Sequence, residues 1–159
     1  MAFAATRLWP FVTPETAMQR WAVLLAALWW GGLTGLSFVA VPMLFASLGN
    51  PALAGPVAAQ LFAVQCWAGL VLGLGLLLLL RQPRSRPDAH TMTTLGLVLA
   101  AMLVAVVQEL GVAHQIVTAR ASGGNLRLWH SIGSVMVLAQ WVCAGAVLWR
   151  LSGPPRSGF

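Results

Sequence analysis

The sequence predicts an all-α fold, an integral membrane bundle of four helices with cytoplasmic termini, and three observations predict it. The 159 residues are 59% hydrophobic and only 8% charged, where an ordinary soluble domain carries about 25% charged residues. Four apolar stretches each reach the roughly 20 residues that a bilayer-crossing helix needs. The nine basic residues, all arginine, stand at the ends of these stretches. A soluble domain of roughly 150 residues leaves about 30% of its unfolded surface exposed, which is too much for a chain of mean hydropathy +0.84. Lipid is therefore the solvent, and each backbone polar group needs a partner inside the protein. A membrane β-barrel would need alternating segments of about 10 residues, which the run GLVLGLGLLLLL at 69–80 excludes.

The first span covers about 21–45. Thr13 is a fitting N-cap for it, with Pro14 at the first helical position and Glu15 in the first turn. Residues 14–20 form an interfacial lead-in anchored by Arg20 and Trp21, and Pro42 should kink or end the helix. An apolar run that starts near residue 21 is late and long for a cleaved signal, whose apolar region is about 7–15 residues. The second span, about 57–80, follows the breaker-rich stretch GNPALAGP. The third covers about 92–117. The fourth covers about 128–149 and follows the turn ASGGN, where Asn125 caps it. Asp88 and His90, in the connection before the third span, read as solvated or capping residues. No repeat or long linker divides this single domain, residues 1–159.

Arginine placement orients the spans. Arg7, Arg20, Arg81, Arg84, Arg86, Arg150 and Arg156 fall on one side, Arg120 and Arg127 on the other. Seven against two puts the termini in the cytoplasm by the positive-inside rule. Tryptophans mark the interfaces (Trp9, Trp21 and Trp149 inside, Trp129 outside), while Trp29, Trp30, Trp67 and Trp141 fall deeper, where core packing is expected. The net charge of +6 forms no basic face with interleaved aromatics, so nucleic acid is excluded as a partner. Cys66 and Cys143 read as buried thiols packing as small hydrophobes.

Small residues predict which faces meet. Gly31 and Gly35 form one GxxxG pair and Gly69 and Gly73 another, a spacing that lets backbones approach closely. Gln65 continues the second stripe, and Ala101, Ala105, Glu109 and Ala113 form a third. His130, Ser134, Val137 and Trp141 share a face of the fourth helix.

These stripes carry the chain's few buried polar groups. Glu109 lies about 24 Å along the third helix from residue 93, at 1.5 Å per residue, in the outer part of the membrane. Glu109, Gln108, Gln65 and His130 are expected to form a polar cluster near the periplasmic face, with Ser37 at the same depth and Arg127 and His114 nearer the rim. Three chemistries fit. A hydrogen-bonded clasp would fix helix register, each bond worth about 0.6–2 kcal/mol. A proton or cation relay would use Glu109. A haem or divalent metal would take His130, Glu109 and His114 as ligands, although no HxxxH or ExxH spacing is present and His114 reads equally as an end residue facing water. Ser131 and Ser134 near His130 lack a nucleophile elbow, and the scattered methionines lack an MxxM copper motif, so no catalytic residue is assigned.

The stretches WWGGLTGLSFVAVPMLFASL and LAGPVAAQLF, the pair Gln108-Glu109 and LRLWHSIGSVMVL occur in this order from Trp29 to Leu148. Together they resemble a bacterial membrane family of unknown function related to eukaryotic transmembrane protein 205. The resemblance implies four membrane helices in a bacterial inner membrane, and no activity, cofactor or catalytic residue. A small accessory component follows, non-enzymatic and able to form homo-oligomers through its glycine faces. A looser likeness, through Trp29-Trp30-Gly31-Gly32 and the helix-end histidines, connects it to small haem-binding and copper-resistance membrane families.

Overall fold

The computed structural model describes residues 14–81 and 88–153. Arg7, Trp9, Thr13, Arg84, Arg86 and Arg156 lie outside the described residues, as do the side chains of Pro14 and Glu15. Four helical stretches are long and apolar enough to cross a membrane: Ala17–Leu48, Pro51–Leu80, Ala89–Arg120 and Leu126–Leu151. Each overruns its expected span by a few residues. At the starts of the second, third and fourth crossings the side chains of Asn50, Asp88 and Asn125 accept the amides of Ala52, Thr91 and Leu128 at 2.9, 3.0 and 3.0 Å, giving the orphan N–H groups of a helix start their partners.

Two of the four crossings are not uniform α-helix. The first consists of α1 (Pro14–Thr34), a π-helical segment π1 (Gly35–Ala40) and α2 (Val41–Leu48). Pro42, expected to kink or end the helix, instead sits just after π1, and the helix continues to Leu48. Proline cannot donate to the carbonyl four residues back, and the wider π turn absorbs that mismatch without a break. Gly49, at φ 60°, then ends the helix in the left-handed region that glycine enters without cost. The second crossing is α3 (Pro51–Leu80). The third consists of α4 (Ala89–Val107), π2 (Gln108–Ala113) and α5 (His114–Ser122), and the fourth is α6 (Leu126–Leu151).

The helices stand at the corners of a square. α1 packs on α3 and α6, and α4 packs on the same two. The dry core fills the half of the bundle where α3 ends and α4 begins. Ala22, Ala26, Trp29 and Leu33 of α1 meet Leu76, Val98, Ala101, Ala144 and Val147. Small residues let the large ones seat: a methyl group on Gly69 would lie 3.0 Å from Trp29 Nε1, and one on Gly145 would lie 2.9 Å from Trp30 Nε1. At the same end Arg150 ties α6 to α4. Its Nε donates to Thr94 Oγ1 and its Nη2 to the His90 carbonyl, both at 3.0 Å.

Trp67, expected in the core, is 63% exposed and faces outward: the inward stripe of α3 is Ala58, Cys66, Gly69, Gly73 and Leu76, and Trp67 lies off it. Trp21 and Trp149 are also exposed, at the ends of their helices.

Candidate functional site

Polar side chains collect midway along the bundle, one or more from each crossing. Gln140, 5% exposed, lies about 21 Å along α6 from Leu126 and about 17 Å from Leu151 at 1.5 Å per residue. Its Nε2 donates to Gln108 Oε1 at 2.8 Å, which joins α6 to the first residue of π2. On the adjoining face Trp141 Nε1 donates to Thr34 Oγ1 at 2.9 Å, and the Thr34 hydroxyl donates to the Trp30 carbonyl at 2.7 Å. The Trp141 ring lies 5.5 Å from that of Trp30 and meets Phe38 edge-on at 5.7 Å. These geometries lie in the favourable range for aromatic pairs.

The α3 side is less complete. Cys66 Sγ donates to the Ala105 carbonyl at 3.5 Å, which pins α3 to α4. The Glu109 carboxyl, one turn beyond Ala105, is within electrostatic reach of that thiol. Among the described residues three buried side-chain atoms have no hydrogen-bond partner: Trp30 Nε1, Ser37 Oγ and Gln65 Oε1. Trp30, Thr34 and Ser37 recur at i, i+4 and i+7, so they form one stripe that runs from α1 into π1.

The structure therefore brings Gln108 to Gln140 and Glu109 toward Cys66, the neighbour of Gln65. It leaves His130, Arg127 and His114 exposed, with no hydrogen bond or ion pair to Glu109 among the described residues. The proposed ligand set His130, Glu109 and His114 does not form one group, since among the described residues no three His, Cys, Asp or Glu side chains gather as a metal site would require. Ser131 and Ser134 return their hydroxyl protons to the carbonyls of Arg127 and His130, at 3.0 and 2.9 Å. Of the glycines expected at close contacts, Gly69 and Gly73 are buried, with Gly73 under Met102. Gly31 and Gly35 are exposed, with nothing within 4 Å of where a side chain would start.

Sequence reasoning overlooked Gln140 and Thr34. The signal for Gln140 was present: Gly133, Val137, Gln140, Ala144 and Val147 alternate spacings of three and four, the inward stripe of a packed helix. The face drawn through His130 and Ser134 is rotated away from it.

The model of a protein family described as a domain of unknown function (DUF4149) matches residues 24–125. That range takes in the first crossing from residue 24 and the whole of the second and third, and stops before α6. No curated protein matches the chain, and no solved structure does.

Proposed function

The chain belongs to the DUF4149 family, and from that premise we propose that this multi-pass membrane protein is a non-enzymatic accessory component whose polar layer works as a clasp holding its helices in register. The observation that carries this reading is the Gln140–Gln108 hydrogen bond, with the Trp141–Thr34 bond beside it. Helices in lipid gain nothing from burying apolar surface against one another, so packing and interhelical hydrogen bonds must specify their register. Two such bonds, from neighbouring residues of α6 to two different helices, lock three crossings together.

We further infer a bacterial inner membrane as its location, with both termini in the cytoplasm and the loops at 49–50 and 123–125 in the periplasm. The seven-to-two arginine distribution supports it. The motifs from Trp29 to Leu148 support kinship with transmembrane protein 205. The exposed face of Gly31 and Gly35 is the surface on which a second copy would pack. Gln140→Leu tests the clasp: its detergent-solubilised melting temperature should fall, and an unchanged curve counts against the reading. A periplasm-only reporter fused after Phe159 should be inactive. Stoichiometric haem or divalent metal in the purified protein, lost on His130→Ala, would replace this function with cofactor binding.

A further inference from the structure

The clasp leaves Gln65 and Glu109 unexplained. Gln65 Oε1 is a buried acceptor with no hydrogen bond from the protein. Glu109 is the one acidic residue within the membrane-length stretches Ala17–Leu48, Pro51–Leu80, Ala89–Arg120 and Leu126–Leu151, and it makes no hydrogen bond or ion pair with another side chain among the described residues. The two lie across one interface. Cys66 is bonded to the Ala105 carbonyl and α3 packs on π2, so Gln65 and Glu109 stand within about one helical turn of each other in height along the bundle, and the Glu109 carboxyl is in electrostatic reach of Cys66 itself.

We propose that Gln65 and Glu109 together hold internal water and one exchangeable proton, an intramembrane protonation site on the α3–π2 interface. The inference rests on the polar layer being the interior of the bundle, as the clasp does. A buried water makes two to four hydrogen bonds to polar groups that would otherwise go unpaired. Gln65 Oε1 can accept one from such a water, and the Glu109 carboxyl can accept another or donate its own proton to the water. Glu109 sits in π2, and single π-helical turns inside α-helices are frequent at functional sites. Intramembrane ionisable residues are functional by default.

The site is a dead end. Toward the end where α3 meets α4, the apolar core of Trp29, Leu33, Leu76, Val98 and Ala101 closes the bundle, so the proton exchanges only with the side that carries α5 and the start of α6. The charged and titratable groups on the elements packed against π2 are Cys66 on α3, His90 on α4, His114 and Arg120 on α5, and Arg127, His130, Cys143 and Arg150 on α6; His90 and Arg150 lie at the far, dry end of their helices. None of them forms an ion pair with Glu109 among the described residues.

Infrared difference spectra between acidic and neutral pH, taken on protein in lipid vesicles in H2O and in D2O, test the proposal. A protonated carboxyl band should be present, be lost in Glu109→Gln and shift in Gln65→Leu, together with a water O–H band that both variants remove. If Glu109→Gln removes no band, or Gln65→Leu leaves both bands unmoved, the proposal is overturned. Should the glutamine variant fail to fold, Glu109→Asp must move the band, and an unmoved band has the same force. Vesicles loaded with a pH-sensitive dye should take up no protons under an imposed potential; uptake abolished by Glu109→Gln would overturn the dead end. The clasp is read separately, from the melting of Gln140→Leu, so either idea can fail without the other.

Discussion

The half of the bundle where α3 hands over to α4 and the half where α5 hands over to α6 face the same problem, a surrounding without water, and meet it in different ways. The first half is dry and regular. Its core is built of Ala22, Ala26, Trp29, Leu33, Leu76, Val98, Ala101, Ala144 and Val147, its helices are plain α, and Arg150 and Thr94 satisfy each other. The second half holds both π segments and the partly exposed Glu109. Of the orphaned buried atoms, Ser37 Oγ lies in π1 and Gln65 Oε1 on α3 beside Cys66, while Trp30, whose Nε1 is also unpartnered, packs against the dry core. Its buried residues are few: Ala54, Ala58, Val112 and Ala119 among them. The contrast teaches that stability and chemistry are kept apart here. Close packing of apolar residues needs regular helices whose ridges and grooves fit, whereas the π segments fall where polar side chains gather, as π turns often do at functional sites. A proportion of the second half's potential hydrogen bonds is unused, and unused buried polarity costs about 1–3 kcal/mol per group. The first half carries that burden.

Four measurements put this contrast to the test. The largest effect belongs to the dry half. Leu76 is 0% exposed, and Leu76→Ala should cost about 2–4 kcal/mol of unfolding free energy in mixed micelles through the cavity it leaves. The matching change in the polar half, Leu110→Ala at a residue 70% exposed, should cost less than about 0.5 kcal/mol. Comparable losses at the two positions would dissolve the distinction between the halves.

Next in size is Gly69→Val. The first added carbon would lie 3.0 Å from Trp29 Nε1, and Trp29 is itself buried in the core, so overpacking should cost about 1–3 kcal/mol, read from the same unfolding curves. Gln140→Leu should cost about 0.6–1.7 kcal/mol, the range for a hydrogen bond between membrane helices, and should leave the Gln108 amide without its partner. Amide exchange at 108–113 should then quicken while that of 94–101 holds, since the break is local. The smallest change is Gly35→Ala. Nothing lies within 4 Å of the new methyl group, and alanine is the better helix former by about 0.5–1 kcal/mol, so the monomer should hold or gain stability. A loss at low protein dilution that vanishes on dilution would mean that a second copy packs on this face.

The existence and number of the membrane helices were legible in the sequence, because the length and polarity of an apolar run decide whether it can cross a bilayer, whatever it packs against. So were the caps at Asn125 and Asp88, whose partners lie three residues away. The candidate site was only partly legible. Gln108, Gln65 and Glu109 stood out as polar residues in apolar runs, yet Gln140, which holds Gln108, was passed over for His130. A face read from four residues is uncertain by about 100° per residue of misplacement, and His130 lies on the exposed side. The same angular error set Gly31 and Gly35 where packing was expected, and Trp67 in the core.

What the sequence determined by itself, then, is what depends on a residue's own transfer into lipid or on its near neighbours along the chain: four crossings to within a few residues, and the caps at Asp88 and Asn125. Tertiary structure alone decided how each helix is rotated about its axis, where the π turns lie, and hence which glutamine meets which and which polar atoms stay unpaired. Rotation is fixed by the joint packing of four helices, as when Trp29 and Trp30 seat on Gly69 and Gly145. No single stretch of sequence contains both halves of such a contact.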